Sequence, residues 1–202
     1  MKAKKWMAAA LIGLSVISLC LNIFTVNRMY QLKGNYEDHS GNLAVFGLQK
    51  GLVDGRGSLQ QIVESEGIQR DAVLVRLNDA IQSNRDAEFY LRSAYPELMN
   101  TELSDYVYAG SFFQAVGQYI KEDILFPMQA DPQQWKIAHI QGQVEPVVEL
   151  LAALDKGIDE ERFVKLSSED AKAAWRAQVE QLRGKYPDLP VFRYYDLFDP
   201  SH

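Results

Sequence analysis

An apolar run from Trp6 to Val26 is the feature that most constrains this chain, and three lysines precede it within the first five residues. As a helix the run would reach about 30 Å, the thickness of the hydrocarbon core of a bilayer. Because only Arg28 and Lys33 follow it closely, the distribution of basic residues favours a cytoplasmic N-terminus. We therefore predict a cytoplasmic segment at residues 1–5, a single-pass transmembrane anchor at residues 6–26, and a remaining chain that lies outside the cell membrane.

Two other kinds of N-terminal segment begin in a similar way. A cleaved signal peptide would be cut best after Cys20, which ends the sequence Ser18-Leu19-Cys20, and the mature protein would then be secreted. A lipoprotein signal needs a small residue immediately before the modified cysteine, and Leu19 occupies that position. The poor match to both patterns favours an uncleaved anchor, with secretion as the alternative.

Charge and cysteine content limit what the part of the chain after the anchor can do. It carries 18 basic and 27 acidic residues, a net charge of −9, within a chain whose formal net charge is −6. Such a surface repels nucleic acid, so we expect no nucleic-acid partner. Cys20 lies inside the apolar run and is the single cysteine, so the outer domain forms no disulfide and depends on its apolar core.

Residues 27–42 are polar and contain glycine, a composition typical of a juxtamembrane linker. His39 follows Glu37 and Asp38 in this segment, but three neighbouring residues in a loop do not direct their side chains at one metal ion. We therefore predict a linker without a metal site, followed by a single helical domain at residues 43–202.

Three glycines spaced four residues apart, Gly47, Gly51 and Gly55, fall within the apolar pattern of residues 43–66. On a helix they would form one smooth stripe that permits a close helix contact or a dimer face. The alternative is that residues 54–57, with the sequence Asp-Gly-Arg-Gly, form a turn between two short helices. The sequence leaves both interpretations open.

Helical periodicity continues through the rest of the domain. Apolar residues recur at helical spacing in further segments, and prolines or polar capping residues separate these segments. Ser167 is expected to cap the last helix, and Asp131 with Pro132 to begin the helix that contains Pro146. We predict an all-α fold whose outer bundle has about five helices, with antiparallel neighbours because the connections are short.

The most aromatic helix carries Gly110 and Gly117 on its apolar face, where missing side chains imply either close packing or a pocket. Pro146 interrupts the next apolar stripe, and because proline cannot donate a backbone hydrogen bond we expect a kink or break at residues 141–145. Such a bend would expose carbonyl groups near a histidine and a glutamate. The candidate pocket residues are Gly110, Gly117, His139, Glu145 and Pro146.

The end of the chain is rich in aromatic residues and follows two prolines, Pro187 and Pro190. We predict an extended C-terminal tail that either folds into a groove of its own domain or serves as a strip on which a partner docks. The candidate docking residues are Phe192, Tyr194, Tyr195 and Phe198.

Motifs for a catalytic nucleophile, a metal or a nucleotide are missing from the sequence. His-x-x-x-His, Cys-x-x-Cys and Gly-x-Ser-x-Gly do not occur, and His39, His139 and His202 stand far apart. We therefore expect no enzyme activity and no cofactor. The leading hypothesis is a non-enzymatic interaction or adaptor module of the cell envelope, anchored in the membrane through Trp6 to Val26 and bound to a protein partner. The alternative is a ligand-sensing domain with a pocket between helices, or a secreted helical protein if the N-terminus is cleaved.

Overall fold

The computed structural model describes residues 24–28, 30–31, 34–35, 38–94, 106–131 and 136–199. The predicted anchor falls outside these residues except for its last three, 24–26, which are helical. Within the described part of the chain, no helix is both long enough and apolar enough to cross a membrane. The predicted helix start at Asp131-Pro132 is wrong, because the helix that contains Pro146 begins at Ile137 and Lys136 before it has extended backbone angles.

The described residues fold into helices without a strand. Helix α1 covers residues 38–64 and consists of an α-helical part at 38–49, a π-helical segment at Lys50–Gly55 and an α-helical part at Arg56–Glu64. Helix α3 is built in the same way from Val107–Tyr119, the π-helical segment Ile120–Leu125 and Phe126–Ala130. The other helices are α2 (Arg70–Ser93), α4 (Ile137–Gly157), α5 (Glu160–Phe163), α6 (Ser168–Lys185) and α7 (Val191–Phe198).

The all-α prediction is confirmed. In the described residues five long helices, α1, α2, α3, α4 and α6, build the bundle and the short helices α5 and α7 complete it. The predicted cap of α6 is present, because the Ser167 hydroxyl accepts a hydrogen bond of 3.2 Å from the backbone N–H of Asp170. Such a bond satisfies a donor that has no partner within the helix.

Helix α1 includes two regions for which the sequence analysis considered a non-helical structure. Residues 38–42, which we placed in the linker, are helical, and the side chain of Ser40 is buried. Of the two interpretations left open, the turn at residues 54–57 is wrong, because Gly55 has helical backbone angles and the chain continues directly into Arg56–Glu64. Leu52 and Leu59 are fully buried on either side of this point, so packing holds the helix together there.

Helix α2 lies between α1 and α3, and both neighbours run antiparallel to it. Helix α1 also packs against α4, α4 packs against α6, and α7 lies on α3. The core between these helices contains Phe112 and Trp175, whose ring centroids lie 5.7 Å apart in an edge-to-face arrangement. The bundle therefore has one continuous apolar core.

Two glycines of the α1 stripe, Gly47 and Gly55, face α2, and Gly51 between them faces Phe113 of α3. A Cβ atom added at Gly47 would lie 2.8 Å from Cγ of Leu91, and one added at Gly55 would lie 3.0 Å from Nδ2 of Asn84. Side chains at these positions would push the two helices apart. The interpretation of the stripe as a close helix contact is confirmed, and the contact is made within the chain.

Two glycines of α3 allow the same approach from the other side of α2. A Cβ atom added at Gly110 would lie 3.6 Å from Cβ of Leu91, and one added at Gly117 would lie 3.5 Å from Cβ of Asn84. Asn84 and Leu91 of α2 therefore each lie between a glycine of α1 and a glycine of α3. The sequence left close packing or a pocket as the two interpretations of this face of α3, and the structure shows close packing.

The predicted break at residues 141–145 is absent, because α4 is continuous from Ile137 to Gly157 with Pro146 inside it. Proline removes one backbone hydrogen bond, but Val144 and Val147 next to it are fully buried and hold the helix in place. The Tyr119 hydroxyl of α3 donates a hydrogen bond of 3.3 Å to the carbonyl of Gln143. A side chain from a neighbouring helix thus pairs with a carbonyl in the turn disturbed by the proline.

Candidate functional site

The C-terminal aromatic segment is helix α7 rather than the extended tail that we predicted. Pro190 precedes the first turn, where a missing N–H costs nothing. The buried residues Val191, Phe192 and Tyr195 follow the spacing of one helical face, which is the signal in the sequence that indicates a helix. The extended prediction gave too much weight to the two prolines and too little to this spacing.

The candidate docking residues lie against the domain itself. Phe192 and Tyr195 are buried, and Tyr194 and Phe198 are half-buried and packed against the core. The Tyr195 ring contacts Phe112 edge-to-face at 5.7 Å between centroids. The segment therefore folds back onto its own domain, and its aromatic rings pack in or against the apolar core.

Polar contacts hold both sides of α7 to the bundle. The Tyr194 hydroxyl donates a hydrogen bond of 2.7 Å to Oδ2 of Asp123 in α3. Arg183 of α6 donates two parallel hydrogen bonds to the carboxylate of Asp196, at 3.1 and 2.5 Å. When a forked pair of this kind is partly exposed, it orients the helix but contributes little to the free energy of unfolding.

A cleft of about 350 Å³ opens between α6 and α7, and we call it the C-terminal cleft. Its polar lining residues are Arg176, Glu180, Arg183, Tyr195, Asp196 and Asp199. Tyr195 is only 3% exposed, and its hydroxyl has no hydrogen-bond partner among the described residues. Burial raises the pKa of Tyr195 far above its ordinary value, so the hydroxyl stays protonated. The Tyr195 hydroxyl itself is buried, so it belongs to the interior beneath the cleft rather than to its open surface.

The five candidate pocket residues are not brought together. Gly110 and Gly117 face α2, whose backbone and side chains occupy the space next to them. His139 and Glu145 are exposed on α4, and Pro146 is half-buried. Since α4 packs against α1 and α6, its exposed residues and the α3 glycines belong to different surfaces.

Three aromatic side chains that we did not predict as functional form a surface cluster on α1 and α2. Phe46 and Tyr90 meet edge-to-face with centroids 4.8 Å apart, and Phe89 meets Tyr90 at 5.5 Å. Phe89 is 64% exposed and Phe46 is 43% exposed, whereas Tyr90 is half-buried. We call this cluster the aromatic patch. Phe89 falls outside the apolar stripe of α2, which is the signal in the sequence that could have identified it.

Next to Phe46 in the aromatic patch, negatively charged groups outnumber positively charged ones. Lys50 lies over the Phe46 ring at 5.4 Å and pairs with Asp54 at 2.7 Å. The hydrogen bond that Lys50 donates to Asp54, together with the nearby charges of Asp54 and Asp86, raises the pKa of Lys50. One ammonium group thus faces two carboxylates.

Groups of three or more His, Cys, Asp or Glu side chains that could hold a metal ion do not occur in the described part of the chain. No protein-family model, curated protein or solved structure matches this chain.

Proposed function

We propose that this chain is a non-enzymatic interaction module, anchored at the cell membrane, that binds a partner protein through the aromatic patch outside the cytoplasm. The observation that carries the proposal is the edge-to-face cluster of Phe46, Phe89 and Tyr90 on the surface of a domain whose other aromatic rings are mostly used in its core. Aromatic side chains are enriched at the centres of protein interfaces, where they supply a large part of the binding energy. The membrane anchor is supported by the apolar run Trp6 to Val26 in the sequence.

The patch favours a partner that presents an apolar side chain next to a basic one. The rings of Phe46 and Phe89 offer apolar contact area, and beside Phe46 the carboxylates of Asp54 and Asp86 outnumber the single ammonium group of Lys50. A basic residue of the partner would both reduce this imbalance and lie against an aromatic face. The net acidity of the chain acts in the same direction at longer range.

The alternative function, ligand sensing, requires a pocket between helices. This alternative has less support beside Gly110 and Gly117, where the sequence suggested the pocket. The space beside Gly110 and Gly117 is filled by α2. Cleavage of the N-terminal segment would make the same module a secreted one and would leave the proposed docking surface unchanged.

The proposal is tested by placing a photo-crosslinking amino acid at residue 46 or 89 of the full-length chain in the cells that produce it. Val75 and Leu197 are matched control positions, because both are exposed apolar residues outside the patch. Val75 lies about 20 Å from Phe89 along α2 at the helical rise. We expect one partner to be captured from both patch positions and from neither control position.

A substitution sharpens the test. Phe89→Ser should abolish the adduct formed from residue 46, while Val75→Ser should leave it intact, and neither change should unfold the domain because both side chains are largely exposed. Equal capture from patch and control positions, or an adduct that survives Phe89→Ser, would show that the patch is not a docking surface.

A further inference from the structure

Arg85 is an exposed basic residue beside the aromatic patch, one helical turn before Phe89 on the same face of α2. Its guanidinium group forms no hydrogen bond or ion pair with another of the residues that the structure describes. Glu88, whose carboxylate feels the charge of Arg85, pairs with Arg92 at 3.0 Å instead. This face of α2 therefore presents an apolar ring next to a basic group, which is the combination that the aromatic patch favours in a partner.

The rings of the patch lie at one level along the bundle. Phe46 of α1 meets Tyr90 of α2 with centroids 4.8 Å apart, and Phe89 is the neighbour of Tyr90 in the sequence. Phe46 and Phe89 are therefore level with each other to within about one helical turn, although they belong to different helices.

Asp54 and Arg85 lie together at a second level. A Cβ atom added at Gly55 of α1 would lie 3.0 Å from Nδ2 of Asn84 of α2, so these two residues are level with each other. Asp54 and Arg85 are their immediate neighbours in the sequence. Because α1 and α2 run antiparallel, the step from the aromatic ring to the charged group has the same direction on both helices.

A two-fold axis parallel to these helices matches the groups of two copies. Phe46 of one copy then meets Phe89 of the other, and Asp54 of one copy meets Arg85 of the other, and symmetry repeats each contact. Each Asp54 keeps its ion pair of 2.7 Å with Lys50 and gains a second cation from the other copy. An axis perpendicular to the helices would instead place the rings of one copy against the charges of the other.

The parallel arrangement agrees with the proposed membrane anchor. Two chains that enter one membrane through their N-terminal segments have the beginnings of α1 at the same end, and the parallel axis places them there. The acidic surfaces of the two copies repel each other at long range. This repulsion is screened beyond about 8 Å at physiological ionic strength, and confinement to one membrane raises the effective concentration of the chains.

We propose that the partner of the aromatic patch is a second copy of this chain, in a symmetric dimer held by the contact of Phe46 with Phe89 and by the ion pair of Asp54 with Arg85. The inference rests on the proposed function, because it names the partner that the same surface binds.

The test uses two differently tagged copies of the full-length chain in the cells that produce it. One copy carries an aromatic photo-crosslinking amino acid at residue 46, and Leu197 is the control position because it is exposed and lies on α7. We expect an adduct that contains both tags from residue 46 and none from residue 197. Mass spectrometry of the digested adduct should place the crosslink on the other copy at Phe89 or next to it.

Charge reversal shows whether the contact joins two copies of the chain. Arg85→Asp in both copies, or Asp54→Arg in both copies, places like charges opposite each other and should lower the yield of the adduct about tenfold. When one copy carries Arg85→Asp and the other carries Asp54→Arg, both pairs again have opposite charges, and the yield should return to within about twofold of the original. A variant that failed to fold would not be rescued by this mixture.

The outcomes separate this proposal from the proposed function. An adduct from residue 46 that contains only a different protein would support the proposed function and overturn the dimer. A doubly tagged adduct that is insensitive to charge reversal, or that does not recover in the mixed pair, would also overturn the dimer. Absence of any adduct specific to residue 46 would contradict both proposals.

Discussion

Asn84 shows how tightly single residues determine the arrangement of α1, α2 and α3. Its side chain is fully buried and donates a hydrogen bond of 2.8 Å to the carbonyl of Ala80 in its own helix. Glycines stand on both sides of this side chain, and a Cβ atom would lie 3.0 Å from its Nδ2 at Gly55 and 3.5 Å from its Cβ at Gly117. The spacing of glycines in the sequence predicted a close contact but not which residue it would enclose. Asn84 stands four residues after Ala80 and three before Ala87 in the apolar stripe of α2, and this position is the signal for its burial.

Gly51→Ala should destabilise the domain. A Cβ atom at this position would overlap the ring of Phe113, which is itself fully buried and cannot move without disturbing the core. We expect a loss of about 1–3 kcal/mol in the free energy of unfolding, the usual cost of overpacking. Urea denaturation followed by circular dichroism measures it.

Gly57→Ala is the matched control in the same helix. No atom lies within 4 Å of a Cβ added at Gly57, so alanine should instead stabilise the helix by about 0.5–1 kcal/mol. If the two substitutions had the same effect, the close contact of Gly51 with the ring of Phe113 would be incorrect.

At the scale of secondary-structure elements, the helices with a clear apolar periodicity were predicted well, whereas the points where helices begin, end or join were predicted poorly. The helical face of α6 and its Ser167 cap follow from local sequence. The continuity of α1 through Asp54-Gly55-Arg56-Gly57 does not, because turn-forming residues in sequence are here overruled by burial of Leu52 and Leu59. The π-helical segments Lys50–Gly55 and Ile120–Leu125 carry no signal in the sequence that we can identify, and we have no physical account of their position.

Helix α7 should be held to the bundle by its buried rings more than by its ion pairs. Phe192 is buried, so Phe192→Ala should cost about 3–5 kcal/mol. Asp196→Asn weakens the partly exposed pair with Arg183 and should cost less than about 1 kcal/mol. Thermal unfolding of both variants compares the two contributions.

Equal losses from Phe192→Ala and Asp196→Asn would mean that α7 docks electrostatically.

For the molecule as a whole, composition and periodicity were sufficient to predict the fold class, but they were not sufficient to predict the features of the surface. An all-α bundle follows from the repeated apolar stripes, and it is what the described residues show. The aromatic patch is assembled by Phe46 from one helix and Phe89 from the next, so its existence depends on how α1 and α2 pack. The C-terminal cleft depends in the same way on where α7 docks. Both are tertiary features that no single segment encodes.

We propose that a folded helical domain lies at the outer face of a membrane and that an uncleaved N-terminal segment holds it there. Mass spectrometry of the protein from the membrane fraction, before and after protease treatment of intact cells, tests this claim most directly. We predict an intact N-terminus before treatment, and afterwards an N-terminal fragment in the membrane from which the domain has been removed. A chain that begins near Leu21, a protein recovered from the medium, or a domain protected from protease in intact cells would contradict it.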